Sequence, residues 1–452
     1  MLNKRTGFGP VLWASCLAML AVGANSTAIM AALPNMRTEL SLSSAGVQWT
    51  VNAYLVVSAA FIVLGGRAAD RFGARQASML GLALFGVASC IIATAGGQAE
   101  LLVGRGLQGL AAAFAVPCTL VAVDTGAAPE RRAIAIAAWT GFLMFGFSIG
   151  PLFGGALTHL ASWRVIFWFN VPLMLTAITG LALAGAAAAA RSAQRRSTDW
   201  LGFSLLATVM VSLVFALHAL PHARAAPLRV IGPFALAVTA SFLLVAVESR
   251  AQSPLVDLSF FARRRFVMGL IVGSLAMFSI MSLLLYFNLY AQSREGLGLT
   301  ALEAGAALLP LSAALLALAL SASAVAARLG LRNAITAGMA LIAIASAVIG
   351  LAIAWGGMVL VEVGFFAMGA GLAVPYALAP RLALQALPSE QAGQGSGIVN
   401  ACTFLGGSAG VAGGATALAL GGFPAVLLMI ALAGLIGAVL SRWISETGAH
   451  DG

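Results

Sequence analysis

The chain has 452 residues, of which 61% are hydrophobic and only 8% charged, with a formal net charge of +10. A soluble globular protein carries about 25% charged residues, so a water-soluble fold of this size is excluded. The net positive charge, which in a soluble chain would suggest nucleic acid, reads here as short basic loops retained on one side of a membrane. The apolar residues fall in blocks at 11–33, 47–66, 77–95, 101–123, 134–157, 165–190, 200–220, 228–247, 266–290, 304–327, 334–355, 357–380, 396–418 and 423–441. Each is long enough to cross a hydrocarbon core about 30 Å thick, which takes roughly 20 helical residues. An open strand would leave backbone groups unpaired in lipid, and a barrel shows alternation rather than continuous runs. The expected fold class is therefore all-α integral membrane, with fourteen transmembrane helices. The first block follows Lys4 and Arg5 in the manner of a signal peptide, but it is too long for a cleaved segment and thirteen more follow.

Basic residues set the orientation. Eighteen of them (Lys4, Arg5, Arg67, Arg71, Arg75, Arg131, Arg132, Arg191, Arg195, Arg196, Arg250, Arg263, Arg264, Arg265, Arg328, Arg332, Arg381 and Arg442) fall on the side of the N-terminus. Five fall on the other side, Arg37, Arg164, Arg224, Arg229 and Arg294, and Arg105 lies within span 4. This bias predicts both termini in the cytoplasm of a bacterial inner membrane. The four cysteines, Cys16, Cys90, Cys118 and Cys402, are dispersed in apolar blocks, so no metal spacing and no cofactor is expected.

The loop after span 2, Gly66-Arg-Ala-Ala-Asp70-Arg71-Phe-Gly73-Ala-Arg75, is echoed after span 10 by Ser323-Ala-Val-Ala-Ala327-Arg328-Leu-Gly330-Leu-Arg332. A duplicated helical bundle with a ligand held between the copies is characteristic of secondary transporters. The predicted organisation is a six-helix bundle over 1–190, linkers and two inserted helices over 191–260, and a second bundle with a short tail over 261–452, with residues 191–198 as a polar linker.

Three motifs carry chemistry. Gly66, Asp70, Arg71, Gly73 and Arg75 make a tight, charged loop suited to a breakable ionic network; the plainer reading is a solvated loop that only sets topology. Arg105-Gly-Leu-Gln108-Gly109 puts a cation in the apolar region, which costs at least about 2.5 kcal/mol unless it faces a partner or cavity; the plainer reading is snorkelling to the interface. Gly146, Gly150, Pro151, Gly154 and Gly155 form a small-residue stripe that admits a neighbouring helix closely, with Pro151 freeing a carbonyl.

At these loops the sequence resembles the major facilitator superfamily, and more closely its fourteen-helix drug:proton antiporter branch. Further matches are Gln48-Trp49 with Tyr54, and the run from Ser162 to Pro172. The resemblance implies that the first motif is a conformational latch, that Arg105 takes part in proton coupling and that the span-5 motif marks an exporter. It also implies a substrate cavity between the halves, with Asn25, Trp49, Asn52, Tyr54, Gln108, Phe278, Met281, Tyr286, Asn288 and Tyr290 as lining candidates. Aromatic and Met side chains suit variable apolar ligands.

Two departures stand out. In Asn25-Ser-Thr-Ala-Ile-Met30-Ala-Ala-Leu-Pro34 the branch's usual acid is Asn25, and span 13 has Thr403-Phe404 where a basic-polar pair is common. Proton exchange is then sought at Glu362, which lies inside span 12, with Asp124 second. The expected function is proton-driven export of a hydrophobic small molecule by alternating access, with small-molecule substrate, protons and lipid as partners and a monomeric state. The alternatives are an uncoupled or differently coupled exporter, and, from another class, a membrane sensor. No nucleophile–base set, metal cluster or Walker loop points to an enzyme or a primary pump.

Overall fold

The computed structural model describes residues 9–184, 199–220, 223, 225–251, 254–388 and 391–444, with the side chains of Asp70 and Pro129 excluded. The predicted linker 191–198, and the end of the sixth block beyond residue 184, lie outside the described residues.

In hydrocarbon every backbone donor must be satisfied within its own segment, and the chain obeys this by forming long helices. These are α1 (Pro10–Glu39), α2 (Ser44–Phe72), α3 (Ala74–Ala93), α4 (Gln98–Gly126), α5 (Arg132–Leu160), α6 (Arg164–Leu183), α7 (Trp200–Ala219), α8 (Leu228–Glu248) and α9 (Arg264–Gln292). They continue with α10 (Ala301–Ala307), α11 (Leu309–Leu329), α12 (Leu331–Trp355), α13 (Met358–Leu384) and α14 (Ala392–Ser441). Polar residues fix several starts. The Ser43 hydroxyl accepts the Gly46 N–H at 2.9 Å ahead of α2, and Asp199 accepts the Gly202 N–H at 2.8 Å ahead of α7.

Two blocks differ from expectation. The tenth is broken at Leu308 into α10 and α11, because Pro310 in the first turn of α11 has no N–H to continue the ladder. The thirteenth and fourteenth run together as α14, which is interrupted at Gly421 and Gly422, where φ is −161° and 67°. The two arms fold back on each other: the Cβ position of Gly413 lies 3.2 Å from the Met429 sulfur. Residues sixteen apart on a straight helix would be about 24 Å apart. Two crossings in α14 and one in α10–α11 bring the total to fourteen.

Helices α1 to α6 pack into one bundle through the pairs α1–α5, α2–α4, α3–α4, α3–α6 and α1–α6. Helices α9 to α14 form the other through α9–α14, α12–α13, α11–α13 and α12–α14. The inserted helices α7 and α8 pack on each other, and α7 packs on both bundles, through α2 and α14. The halves meet along α2–α14, α1–α9 and α5 with α10 and α11.

Their pseudo-symmetry is visible in the backbone. Gly73 joins α2 to α3 at φ 85°, ψ 135°, and Gly330 joins α11 to α12 at φ 81°, ψ 150°. Only glycine adopts that region without strain. The echo in sequence is an echo in conformation.

Candidate functional site: a buried polar core and the seam between halves

The apolar blocks contain a few polar side chains, and the fold gathers several of those in the first bundle around one cation. Arg105 of α4 is 1% exposed. Its Nε donates to the Thr50 carbonyl at 2.8 Å, its Nη1 donates to Gln108 Oε1 at 2.7 Å, and its guanidinium lies 4.6 Å from the Tyr54 ring centroid. Gln108 donates to the Ser89 hydroxyl at 2.9 Å. Asn170 donates to Asn25 Oδ1 at 2.9 Å, Asn25 Nδ2 stands 3.4 Å from Gln108 Oε1, and Ser26 donates to the Tyr54 hydroxyl at 3.3 Å. Helices α1, α2, α3, α4 and α6 thus converge on a network of neutral dipoles around a single guanidinium. Unpaired polar groups at this depth are costly, and the network satisfies them without a carboxylate. Asn25, Tyr54, Gln108 and Arg105, singled out in the sequence, meet here. Ser26, Ser89 and Asn170 were missed; their one signal was polarity inside an apolar block.

The stripe on α5 faces α1. A side chain added at Gly146 would meet the Leu20 backbone, at Gly150 the Thr27 hydroxyl, and at Gly154 the Ala28 backbone. Pro151 cannot donate to the Phe147 carbonyl one turn back, and the Thr27 hydroxyl fills that vacancy at 2.9 Å. Gly155 turns the other way, against the backbone of Ala301 on α10, while Gly305 approaches the Pro151 carbonyl, its Cβ position 2.5 Å away. The motif therefore joins α1 to α5 on one side and the two halves on the other. Near the same end, Gln292 of α9 donates to the Ala31 carbonyl of α1 at 2.9 Å.

Between the halves lies a narrow apolar crevice with essentially no free volume, lined by Met144, Phe147, Ile280, Leu315, Leu372 and Tyr376. Phe147 and Tyr376 face each other across it at 6.2 Å. Pockets for drug-sized ligands run from about 300 Å³ upward, so the crevice is closed in this conformation and the halves must separate to admit one. The other residues named from the sequence are distributed around the seam. Trp49 packs on Phe215 of α7 at 4.6 Å, and Asn52 accepts from Ser408 of α14 at 2.9 Å and lies 3.3 Å from His218 Nδ1. Met281 and Phe278 of α9 pack on Gly407 and Gly413 of α14. Tyr286 donates to the Val411 carbonyl at 2.5 Å, Asn288 to that of Leu284 at 2.8 Å, and Tyr290 stacks on Phe423 at 5.0 Å.

In the loop between α2 and α3, Arg75 donates to the Leu181 and Ala182 carbonyls at the end of α6 at 2.6 and 2.5 Å, capping it. Arg71 stacks on Phe72, and Gly66 has open space around it. The Asp70 side chain lies outside the described residues. Of the acids, Glu362 is exposed on the face of α13 that also carries Val359, Val363 and Phe366, all exposed. It stands on the outer surface of the bundle rather than at the seam. Asp124 pairs with Arg132 at 3.9 Å. The only buried carboxylate among the described residues is Glu248, 3% exposed at the end of α8, one residue beyond the block read from the sequence.

Known proteins share this architecture. A peptide transporter POT bound to alafosfalin superposes with a TM-score of 0.71 at 15% identity, over 97% of this chain and 95% of that one. The human organic anion transporter MFSD10 gives 0.66 at 17%, over 96% and 99%. Among sequence relatives, the tetracenomycin C resistance and export protein of Streptomyces glaucescens is 32% identical over 404 residues, 89% of this chain and 74% of the relative. The multidrug resistance protein Stp of Mycobacterium tuberculosis is 28% identical over 438 residues, 96% and 76%. The lincomycin resistance protein of Streptomyces lincolnensis is 28% identical over 404, 87% and 81%. With the family profile matching residues 15–411 on a fold of two six-helix bundles and two inserted helices, the chain belongs to the Major Facilitator Superfamily.

Proposed function

We propose that this protein is a secondary transporter that exports apolar small molecules from the bacterial cytoplasm, driven by protons moving inward. Both termini face the cytoplasm, the membrane is the inner one, and the chain acts as a monomer of two bundles, 1–190 and 261–452, joined through 191–260. The observation that carries the reading is the α5 motif: Thr27 on the Phe147 carbonyl, with Gly155 and Gly305 closing the seam at the end away from the basic loops. Interdigitated surfaces of this kind are bistable rather than elastic. Separation at Gly155 and Gly305 opens a path to the outside.

Substrate occupies the seam around Phe147 and Tyr376. Trp49, Asn52, Phe278, Met281, Tyr286, Asn288 and Tyr290 stand on α2 and α9, the helices whose contacts change as the halves rock. A wall of Met, aromatic and aliphatic side chains suits flat apolar compounds. The one cation beneath it, Arg105, with neutral Asn25 in place of an acid, favours neutral or anionic ones. Antibiotics of the kind named for the relatives, tetracenomycin C and lincomycin, are the first candidates.

Accumulation in inverted membrane vesicles tests this. An uncoupler is expected to abolish uptake of such a compound. Full accumulation after uncoupling instead supports coupling to a different ion, and uncoupler-insensitive equilibration without accumulation supports facilitation, the two alternatives that Asn25 raises.

A further inference from the structure

Arg105 and Glu248 are the only buried charged side chains among the described residues, and the network around Arg105 leaves Glu248 unexplained. Glu248 closes α8 and Asp199 opens α7, so the inserted pair brings two carboxylates together at the basic end. Each uses one oxygen on backbone. Asp199 Oδ1 accepts the Gly202 N–H at 2.8 Å, and Glu248 Oε2 accepts the Leu255 N–H at 2.8 Å. The other two oxygens, Asp199 Oδ2 and Glu248 Oε1, are buried with no hydrogen-bond partner. Both overhang Gly202: a Cβ there would meet Asp199 Oδ2 at 2.7 Å and Glu248 Oε1 closer still. The absence of a side chain at 202 is what leaves them a common space.

Two ionised carboxylates in one desolvated space repel, and a proton held at the pair lessens that repulsion. We propose that Asp199 and Glu248 hold one exchangeable proton between them and that its presence sets how firmly the two halves are tied at the basic end. This second clause rests on the transport reading above. The tie is the strap Pro254–Val256, whose Leu255 and Val256 are buried. Arg67 of α2 donates to the Pro254 carbonyl at 3.4 Å, and Gln394 of α14 donates to the Pro254 and Leu255 carbonyls at 2.9 and 2.8 Å. One strap is thus gripped by the first half, the second half and Glu248.

Among the described residues, Arg67 is the charged group from α2, α14 presents uncharged Gln394, α7 presents Asp199 itself, and the segment on either side of the strap carries exposed Arg250 and half-buried Asp257. When the proton leaves, one O–H bond breaks, the proton passes to water at the basic end, and the pair goes from one negative charge to two. Arg67 is then drawn from the Pro254 carbonyl toward Glu248, and the strap loses its hold on α2. Loading the proton restores it.

The test uses the full-length protein purified in detergent and in vesicles, with Glu248→Gln, Asp199→Asn and Gly202→Ala, each checked for its melting temperature. Infrared spectra at neutral pH are expected to show a protonated carboxyl in the wild type that vanishes in E248Q and in D199N. The pH midpoint of efflux is expected to move by about one unit or more in either variant, and G202A, which fills the space while keeping both acids, is expected to move it too. A carboxyl band identical in the wild type and both acid variants overturns the proposal, as does a band that sodium ions remove, which would make the occupant a metal cation. Efflux midpoints unchanged in all three variants overturn the link to the strap. If the wild type shows the band but transports equally well with uncoupler, the proton pair stands and the antiport reading falls.

Discussion

At the scale of single residues, one buried cation organises the first bundle. Arg105 is held by a carbonyl, an amide oxygen and an aromatic face in three directions, a geometry that a planar fork of donors fits and a single ammonium does not. Arg105→Lys is therefore expected to reach the membrane in normal amounts yet lose at least about tenfold in efflux, because Lys leaves either Thr50 or Gln108 unmet. Quantitative blotting beside drug-accumulation assays checks both halves of that statement. Asn25→Asp adds the charge the network lacks. It is expected to raise uncoupler-sensitive efflux of a cationic dye over the wild type, and unchanged dye transport would count against the preference for neutral and anionic cargo.

At the scale of elements, the α1–α5 pair shows how a helix break becomes a joint. Pro151 opens the ladder at Phe147, and Thr27 on the neighbouring helix closes it. Thr27→Val keeps the shape and removes the donor, so it is expected to cost about 1 kcal/mol and lower the melting temperature in detergent. The joints at Gly73 and Gly330 share one backbone conformation. Gly73→Ala and Gly330→Ala are each expected to destabilise by about 1–3 kcal/mol, and a melting shift in one without the other would show that the halves do not use these turns alike. Both glycines were legible as an echo of loop sequences. The break at Pro310 was not, because a proline in the first turn after a break looks the same in sequence as one that merely bends a continuous helix. Nor was the end of α8. A hydropathy block stops where polarity begins, and Glu248 sits one residue beyond, polar in sequence and buried in space.

At the scale of the whole molecule, both echoed turns belong at the basic end. Single cysteines at the exposed positions Phe72 and Leu329, in a background free of the four native thiols, are expected to react with an impermeant reagent from the same side of the membrane. Labelling from opposite sides would break the two-bundle arrangement. The sequence by itself determined the membrane class, the fourteen crossings, the duplication and the motifs, since each depends on local hydropathy, on the charge of short loops or on spacing along one helix. The tertiary structure decided which polar side chains share an environment. It brought Asn170 and Ser89 to Arg105, put Glu362 on the outer face of α13 and set Glu248 against Asp199. Those pairings join residues far apart in the chain, and in an apolar helix no periodicity marks which face meets protein and which meets lipid, because both are equally greasy.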